Sequence, residues 1–180
     1  MFLIKWFNMD IYIRPLKIED SQVSWKWRND EEVWQYTFNR PNMIITPEIE
    51  KEWLENLLRN PYRKGFAICI NDTNEYVGNS YLNDLDEQSA VFGIFIGNKN
   101  YWNRGIGTSA TQLTLQYAYH NLNLNKVRLC VKEGNYRARA AYERSGFLIV
   151  EKKGEDISME VDLNNKFASV RNHLDCRWGD

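Results

Sequence analysis

The segment Trp102–Thr108 has the composition of an anion-binding turn. Gly105 and Gly107 carry no Cβ, so the backbone can approach a ligand closely and can adopt a positive φ where that is needed. A helix that opens just after Gly105 points its first N–H groups and the positive end of its dipole at that ligand. Arg104 adds a positive charge and Thr108 a hydroxyl. The pattern predicts a pyrophosphate-binding turn, with an ordinary glycine loop as the alternative, since short Gly-x-Gly patterns recur by chance.

The elements around this turn follow from the spacing of apolar and turn-forming residues. Thr46 and Pro47 are typical of a helix start, and the segment 71–74 is typical of a hairpin turn between two strands. Strands are predicted over 10–16, 66–70, 76–82, 89–97, 126–131, 147–151 and 157–163. Helices are predicted over 19–29, 30–36, 46–60, 106–122 and 135–145, and a loop over 37–46.

The order of these elements predicts the fold class. A chain that ends strand–helix–strand–helix–strand forms an α/β (α+β) fold, with a mixed central sheet of about six to seven strands and helices on both faces. The length of 180 residues fits one domain over 10–163. Residues 1–9 are predicted to be an N-terminal extension, and 164–180 a C-terminal tail that packs loosely.

Composition excludes several classes of function. The net charge is −1, which gives no general affinity for nucleic acid or for an anionic membrane. His120 and His173 are too few and too far apart in sequence for a zinc site, so no metal is expected. Cys69 and Cys130 are predicted to be buried small hydrophobic residues, and the sparse cysteines fit a cytoplasmic protein.

Two motifs resemble those of the GNAT superfamily of acetyltransferases. Trp102-Asn-Arg-Gly105-Ile-Gly107 is similar to the coenzyme-binding turn Gln/Arg-x-x-Gly-x-Gly/Ala of that family, with Trp102 in the first position. The branch that acetylates ribosomal proteins and polyamines is similar, with an aromatic residue there. Asn135-x-x-Ala138-x-x-x-Tyr142-x-x-x-Gly146-Phe147 resembles the family's Asn-x-x-(Ala/Ser)-x-x-x-Tyr-x-x-x-Gly-Phe. Together with Ile13-Arg-Pro-Leu16 near the start, the resemblance covers roughly residues 10–163.

The resemblance implies a GNAT fold and the co-substrate acetyl-CoA. It implies that the turn binds the diphosphate, and that the strand Ile94–Ile96 pairs with the pantetheine arm and supplies an oxyanion donor. The basic run Arg137, Arg139 and Arg144 could face nucleic acid, but a solvated face with one contact to the 3′-phosphate of the coenzyme fits the near-neutral chain better. Asn135 caps its helix and contacts the coenzyme arm. The implied coenzyme-binding residues are Ile94, Phe95, Ile96, Trp102, Asn103, Arg104, Gly105, Ile106, Gly107, Thr108, Asn135 and Arg137.

Tyr142 is the implied catalytic residue. Its phenol resembles the family's general acid, which protonates the thiolate that leaves when an amine attacks the thioester directly in a ternary complex. A half-buried helical aromatic is the alternative interpretation.

The general base is less well defined. Many relatives carry glutamate where this chain has Val91 in Ala90-Val91-Phe92-Gly93. Either water relays the proton to Asp84, Asp86 or Glu87, or the amine arrives neutral; a solvated turn is the simpler interpretation of those three acids.

The acceptor is predicted to be a small-molecule primary amine. Trp27-Arg28-Asn29 resembles a segment of acetyltransferases that act on nucleotide-linked amino sugars, which makes an amino-sugar nucleotide the main expectation. Arg28 and Arg40 would then meet its phosphates, or Arg28 pairs with a carboxylate on its own helix. The predicted substrate-binding residues are Trp27, Arg28, Asn29 and Arg40.

Other acceptors and one other class of function stay open. A ribosomal-protein N-terminus or a polyamine is the alternative acceptor, and the acids 30–32 are available to a polyamine. A coenzyme-binding module without turnover is the further alternative. Either a monomer or a homodimer fits.

Overall fold

The structure, a computed structural model, describes residues 11–37 and 42–167. The strands are β1 (Ile11–Pro15), β2 (Lys64–Ile70), β3 (Tyr76–Asn83), β4 (Ser89–Ile96), β5 (Lys126–Lys132), β6 (Leu148–Lys153) and β7 (Asp156–Asp162). The helices are α1 (Ser21–Arg28), α2 (Glu31–Trp34), α3 (Pro47–Arg59), α4 (Ile106–Leu122) and α5 (Tyr136–Arg144), with short 3-10 turns at Ile18–Asp20 and Lys99–Tyr101.

The strands form one mixed sheet in the order β1-β2-β3-β4-β5-β7-β6 within the described residues. Every neighbouring pair is antiparallel except β4 and β5. One face packs on α3, where Leu54 and Leu57 meet Tyr81 of β3. The other face packs on α4 through residues such as Leu115 and Ala118. The predicted fold class and the helices on both faces are confirmed.

The parallel pair β4–β5 is joined over only a small part of its length. The register pairs Ser89–Val91 with Lys126–Arg128 and stops there. Beyond Val91, β4 continues along β3 to Ile96, whereas β5 continues along β7 to Lys132. The two strands therefore diverge and leave a gap in the middle of the sheet. Because alternate residues of a strand hydrogen-bond to opposite neighbours, β4 offers free backbone groups to this gap.

The side chains of β4 alternate between the two faces of the sheet. Phe95 packs with Tyr81 on the face covered by α1–α3. Phe92 and Ile94 pack into the core on the opposite face. A residue on β4 can therefore act on one side of the sheet or the other, but not on both.

One packing prediction is wrong. Cys130 is exposed, because the buried residues of β5 are Val127, Leu129 and Val131 and Cys130 points to the other face. Cys69 is buried as predicted. The start of the predicted loose tail is ordered: residues 163–167 are helical, and Phe167 is buried 5.3 Å from the ring of Tyr119.

Local chain signals place the elements well. The Thr46 side chain accepts a hydrogen bond from the amide of Ile49, and Pro47 is the first residue of α3. The hairpin between β2 and β3 forms as predicted, with Asn74 at a φ of 57° in its turn. No helix within the described residues is long and apolar enough to cross a bilayer.

Candidate active site

The gap between β4 and β5 opens into a cleft of about 900 Å³. The predicted coenzyme-binding residues line it with the exception of Arg104, and Tyr142 and Arg28 line it as well. Arg104 instead lies with its guanidinium carbon 5.5 Å from the ring centre of Tyr101. Arg40 falls outside the described residues. The structure thus brings together nearly all of the residues that the two motifs single out.

The turn before α4 has the geometry of an anion-binding helix N-terminus. Gly105 has a φ of 81°, the left-handed backbone that its lack of a Cβ allows, whereas Gly107 is helical. Asn103, which the sequence did not single out for this, also has a positive φ, of 60°. No side chain caps the start of α4, which leaves its first amides directed at the cleft. Gly107 lies within the first turn of α4, and a Cβ added there would meet no atom within 4 Å. Open space therefore faces the free amides.

Trp102 connects this turn to the two elements beside it. Its indole Nε1 donates a hydrogen bond of 2.8 Å to the carbonyl oxygen of Ile96, the last residue of β4. The guanidinium carbon of Arg137, in the first turn of α5, lies 4.6 Å from the centre of the Trp102 indole. Trp102 therefore fixes the end of β4 and positions Arg137 at the mouth of the cleft.

Asn135 and Tyr142 are held by α5. The Asn135 side chain accepts a hydrogen bond of 3.3 Å from the amide of Ala138, which confirms the predicted cap, and Gly146 follows the helix end at a φ of 92°. Tyr142 is buried edge-on against Phe92 of β4. Within the described residues no group hydrogen-bonds to its hydroxyl. Burial raises the pKa of the Tyr142 phenol above its usual value, so the group remains a proton donor at neutral pH.

Arg28 lies at the end of the cleft that is covered by α1–α3. Its guanidinium carbon lies 5.0 Å from the ring centres of both Trp34 and Trp53. Its Nη1 is 3.4 Å from Oε2 of Glu50, a carboxylate on α3 that is 1% exposed and also accepts a hydrogen bond from Ser24. The ion pair thus bridges two helices, instead of joining residues of one helix. Burial raises the pKa of Glu50, and the hydrogen bond from Ser24 and the charge of Arg28 oppose that rise.

Two of the predicted substrate-binding residues do not line the cleft. Trp27 is buried, with its ring 4.7 Å from that of Tyr76, because the indole fills the space above Gly97. Asn29 exchanges two hydrogen bonds with the backbone of Ile45, at 2.8 Å each. It anchors the segment that leads into α3.

Arg63 and Tyr81 line the same end of the cleft and were not found from the sequence. The Nε of Arg63 donates a 2.8 Å hydrogen bond to Oδ1 of Asn83, and its guanidinium carbon lies 5.8 Å from the Trp53 ring centre. The hydroxyl of Tyr81 accepts a hydrogen bond from Asn79. A hairpin register would have placed Arg63 beside Asn83, since Lys64 pairs with Leu82.

Carboxylates are scarce around the cleft. Glu32 is the single carboxylate among the described lining residues, and its Oε2 is 2.6 Å from Nζ of Lys99. Asp86 accepts hydrogen bonds from the amides of Gln88 and Ser89, which lower its pKa, and it does not line the cleft. The solvated-turn interpretation fits its placement.

A comparison with family models identifies the protein class. The model described as the acetyltransferase (GNAT) domain matches residues 10–148. The chain belongs to the GNAT acetyltransferase family. This acetyltransferase is accordingly an acetyl-CoA-dependent enzyme that modifies an amine.

Individual relatives of the acetyltransferase are distant in sequence. It is 26% identical over 160 residues to spermidine N(1)-acetyltransferase of Escherichia coli K12, covering 89% of this chain and 82% of that one. It is 39% identical over 69 residues to the putative ribosomal N-acetyltransferase YdaF of Bacillus subtilis, covering 37% of each chain. The crystal structure of spermidine N-acetyltransferase from Vibrio cholerae with CoA and spermine superposes with a TM-score of 0.77, at 20% identity over 87% of this chain and 98% of that one.

Proposed function

We propose that the cleft binds acetyl-CoA with its diphosphate on the free amides at the start of α4. The pantetheine arm then lies along the unpaired edge of β4, and Arg137 meets a phosphate at the mouth. In this arrangement the thioester reaches Tyr142, whose buried phenol protonates the departing thiolate. The amine attacks directly while both substrates are bound. These assignments are supported by the uncapped helix, the diverging strands and the burial of Tyr142.

The acceptor that the site supports best is the α-amine at the N-terminus of a polypeptide, as in a ribosomal-protein acetyltransferase. The observation that carries this proposal is the lack of an unpaired carboxylate among the described lining residues. Val91 stands where a base is expected, and no unpaired carboxylate within 11–37 or 42–167 lines the cleft in its place. An enzyme with no base must therefore use an amine that arrives partly neutral.

The pKa values of amines decide between acceptors. An α-amine has a pKa of about 7.7–8.0, so about a tenth of it is neutral at pH 7. An alkyl amine such as that of a polyamine resembles lysine, with a pKa of about 10.4, and only about one molecule in 2,500 is neutral. Without a base, the α-amine starts with an advantage of more than two orders of magnitude in reactive form.

A polyamine is the second candidate, and one observation favours it. The relative that covers most of this chain among those described above acts, by its name, on spermidine. Glu32 lines the cleft, and Asp30 comes two residues before it, but Lys99 already pairs with Glu32 at 2.6 Å and with Asp30 at 2.8 Å. A polycation would have to displace this lysine. The relatives also favour these two acceptors over the amino-sugar nucleotide, which was the main expectation.

One assay separates the three acceptors. The protein is incubated with acetyl-CoA and, separately, with a short peptide bearing a free N-terminus, with spermidine, and with a nucleotide-linked 4-amino sugar. Release of free thiol is the measurement. We expect release with the peptide, and none after its N-terminus is blocked by acetylation. Release with spermidine or with the sugar nucleotide, and none with any peptide, contradicts the proposal.

A further inference from the structure

The end of the cleft that is covered by α1–α3, which we call the acceptor end, contains two guanidinium groups that contact the same indole. The guanidinium carbons of Arg28 and Arg63 lie 5.0 Å and 5.8 Å from the ring centre of Trp53. The guanidinium carbon of Arg28 also lies 5.0 Å from the ring centre of Trp34. Stacking on an aromatic face leaves the edge of a guanidinium, which carries its N–H donors, free to bind an anion.

Several of these donors have no partner within the described residues. Arg63 uses Nε for Asn83, and its two terminal nitrogens form no hydrogen bond or ion pair there. Arg28 directs Nη1 towards Glu50, and its buried Nε has no hydrogen-bond partner. The Nε of Arg28 is buried, and a buried donor without a partner destabilises a site, whereas Arg63 is only partly buried. A bound acceptor of hydrogen bonds is therefore expected to fill this end of the cleft.

One charge of the acceptor end has no counter-ion. Arg28 pairs with Glu50, at 3.4 Å. Lys99 pairs with both Asp30 and Glu32. Arg63 has no carboxylate partner in the part of the chain that the structure describes, so its guanidinium is a positive charge without a counter-ion beside Trp53. Such a site repels a polycation and attracts an anion.

This positive charge lies on the acceptor face of β4 and not on the coenzyme side. A Cβ at Gly93 would lie 3.9 Å from the Tyr81 ring and 4.0 Å from Nδ2 of Asn83, the residue that holds Arg63. Gly93 belongs to the part of β4 that has left β5. The coenzyme phosphates are assigned to α4 and Arg137, which leaves Arg28 and Arg63 for the second substrate.

We propose that Arg28 and Arg63 form an anion subsite that binds a carboxylate of the acceptor. This rests on the proposed function, because the acceptor amine is taken as the N-terminus of a polypeptide. The preferred acceptor then carries aspartate or glutamate at its second or third residue. The two guanidinium groups bind that carboxylate while the α-amine reaches the thioester over Gly93.

The test compares isosteric peptides. Acetyl transfer is measured for peptides with aspartate or asparagine at the second position, and then at the third, with the rest of the sequence unchanged. A charge-assisted hydrogen bond supports a preference of about 10- to 100-fold in kcat/KM for the aspartate peptide at one of the two positions. The preference is expected to appear mainly in the KM for the peptide and to shrink as salt is added.

Variants locate the effect. Arg63→Gln is expected to reduce the ratio of kcat/KM for the aspartate peptide to that for its asparagine partner to about one, whatever the absolute rates. Arg59→Gln is the matched control, since Arg59 is on the exposed surface of α3 and its ion-pair partner among the described residues is Glu55. Arg28→Gln leaves Glu50 buried without its counter-ion and is expected to destabilise the fold, so Arg63 carries the test.

The outcomes distinguish the two proposals. Equal rates for aspartate and asparagine peptides overturn the anion subsite and leave the proposed function standing. Equal loss on both peptides in Arg63→Gln also overturns it, because it shows a general structural role. If no peptide is acetylated while another amine is, the proposed function fails and the subsite fails with it.

Discussion

The indole of Trp102 gives a sharp test of how the coenzyme turn is held. Trp102→Phe removes the Nε1–H that donates 2.8 Å to the carbonyl of Ile96 and keeps an aromatic ring beneath Arg137. The two contacts of the side chain can therefore be separated. A variant that keeps the contact with Arg137 and loses the hydrogen bond measures how much the bond to the end of β4 stabilises the turn.

The expected magnitude follows from these contacts. Loss of the hydrogen bond and exposure of an unsatisfied carbonyl cost about 1–3 kcal/mol in the free energy of unfolding. The cation–π contact with Arg137, worth about 0.5–1 kcal/mol, is largely kept. If the turn then becomes ordered only when the coenzyme binds, about 1.4 kcal/mol of that cost moves to binding. The Kd for acetyl-CoA is then raised about tenfold.

Two measurements check this prediction. Urea denaturation gives the free energy of unfolding, and calorimetry gives the Kd for acetyl-CoA. Trp25→Phe is the matched control, because the Trp25 indole donates a similar bond of 3.2 Å to the carbonyl of Gln22 and does not line the cleft. The control is expected to leave the Kd unchanged. A Trp102→Phe protein with wild-type unfolding energy and wild-type Kd would refute the assigned role of the indole.

Further predictions concern the catalytic and packing residues. Tyr142→Phe is expected to lower kcat about 100-fold with the Kd for acetyl-CoA unchanged; an unchanged kcat removes Tyr142 from the mechanism. kcat/KM is expected to rise with pH through about 8, because an α-amine loses its proton there. It is not expected to decline up to pH 10, because burial raises the pKa of Tyr142 and keeps its phenol protonated; a decline below pH 9 contradicts this. Gly107→Trp is expected to fold normally and to lose coenzyme binding in calorimetry, because the ring fills the open space before the helix. Gly97→Ala is expected to lower the free energy of unfolding by about 3 kcal/mol, because the new Cβ would clash with the Trp27 indole, whereas Gly134→Ala, with its nearest contact at 3.7 Å, costs less than about 1 kcal/mol in the same denaturation series.

The order of elements was predictable because local signals determine it. Thr46 and Pro47 begin α3, Asn135 caps α5, and alternation marks the strands. The divergence of β4 and β5 was not predictable from these signals. It depends on a register that ends at Val91, and registers are set by contacts between residues distant in sequence. The exposure of Cys130 was predictable in part, because the alternation along β5 puts its side chain on the face of the sheet opposite to that of the buried Leu129.

The sequence singled out the lining of the proposed coenzyme site more completely than that of the proposed acceptor site, for a physical reason. In the proposed binding mode backbone amides hold the diphosphate, and glycines beside a helix start are a sequence pattern that predicts such amides. The acceptor side consists of side chains from separate helices and strands. Arg28 and Arg63 both contact the ring of Trp53, and no spacing in the sequence connects the three residues. Trp27 has the residue type of a binding residue, but it packs on Tyr76 instead.

The position of Val91 connects the lack of a base to the choice of acceptor. Val91 lies two residues before Gly93 on the same face of β4, on the side of Arg63 and Trp53, so a glutamate there would stand beside the incoming amine. It would also add a negative charge next to two guanidinium groups and weaken their hold on an anion. A valine at this point keeps the acceptor end positive. Introducing the carboxylate through Val91→Glu should therefore speed transfer to amines of high pKa and, at the same time, reduce the preference for acidic peptides. If transfer to amines of high pKa and transfer to acidic peptides instead rise together, the acceptor end does not select by charge.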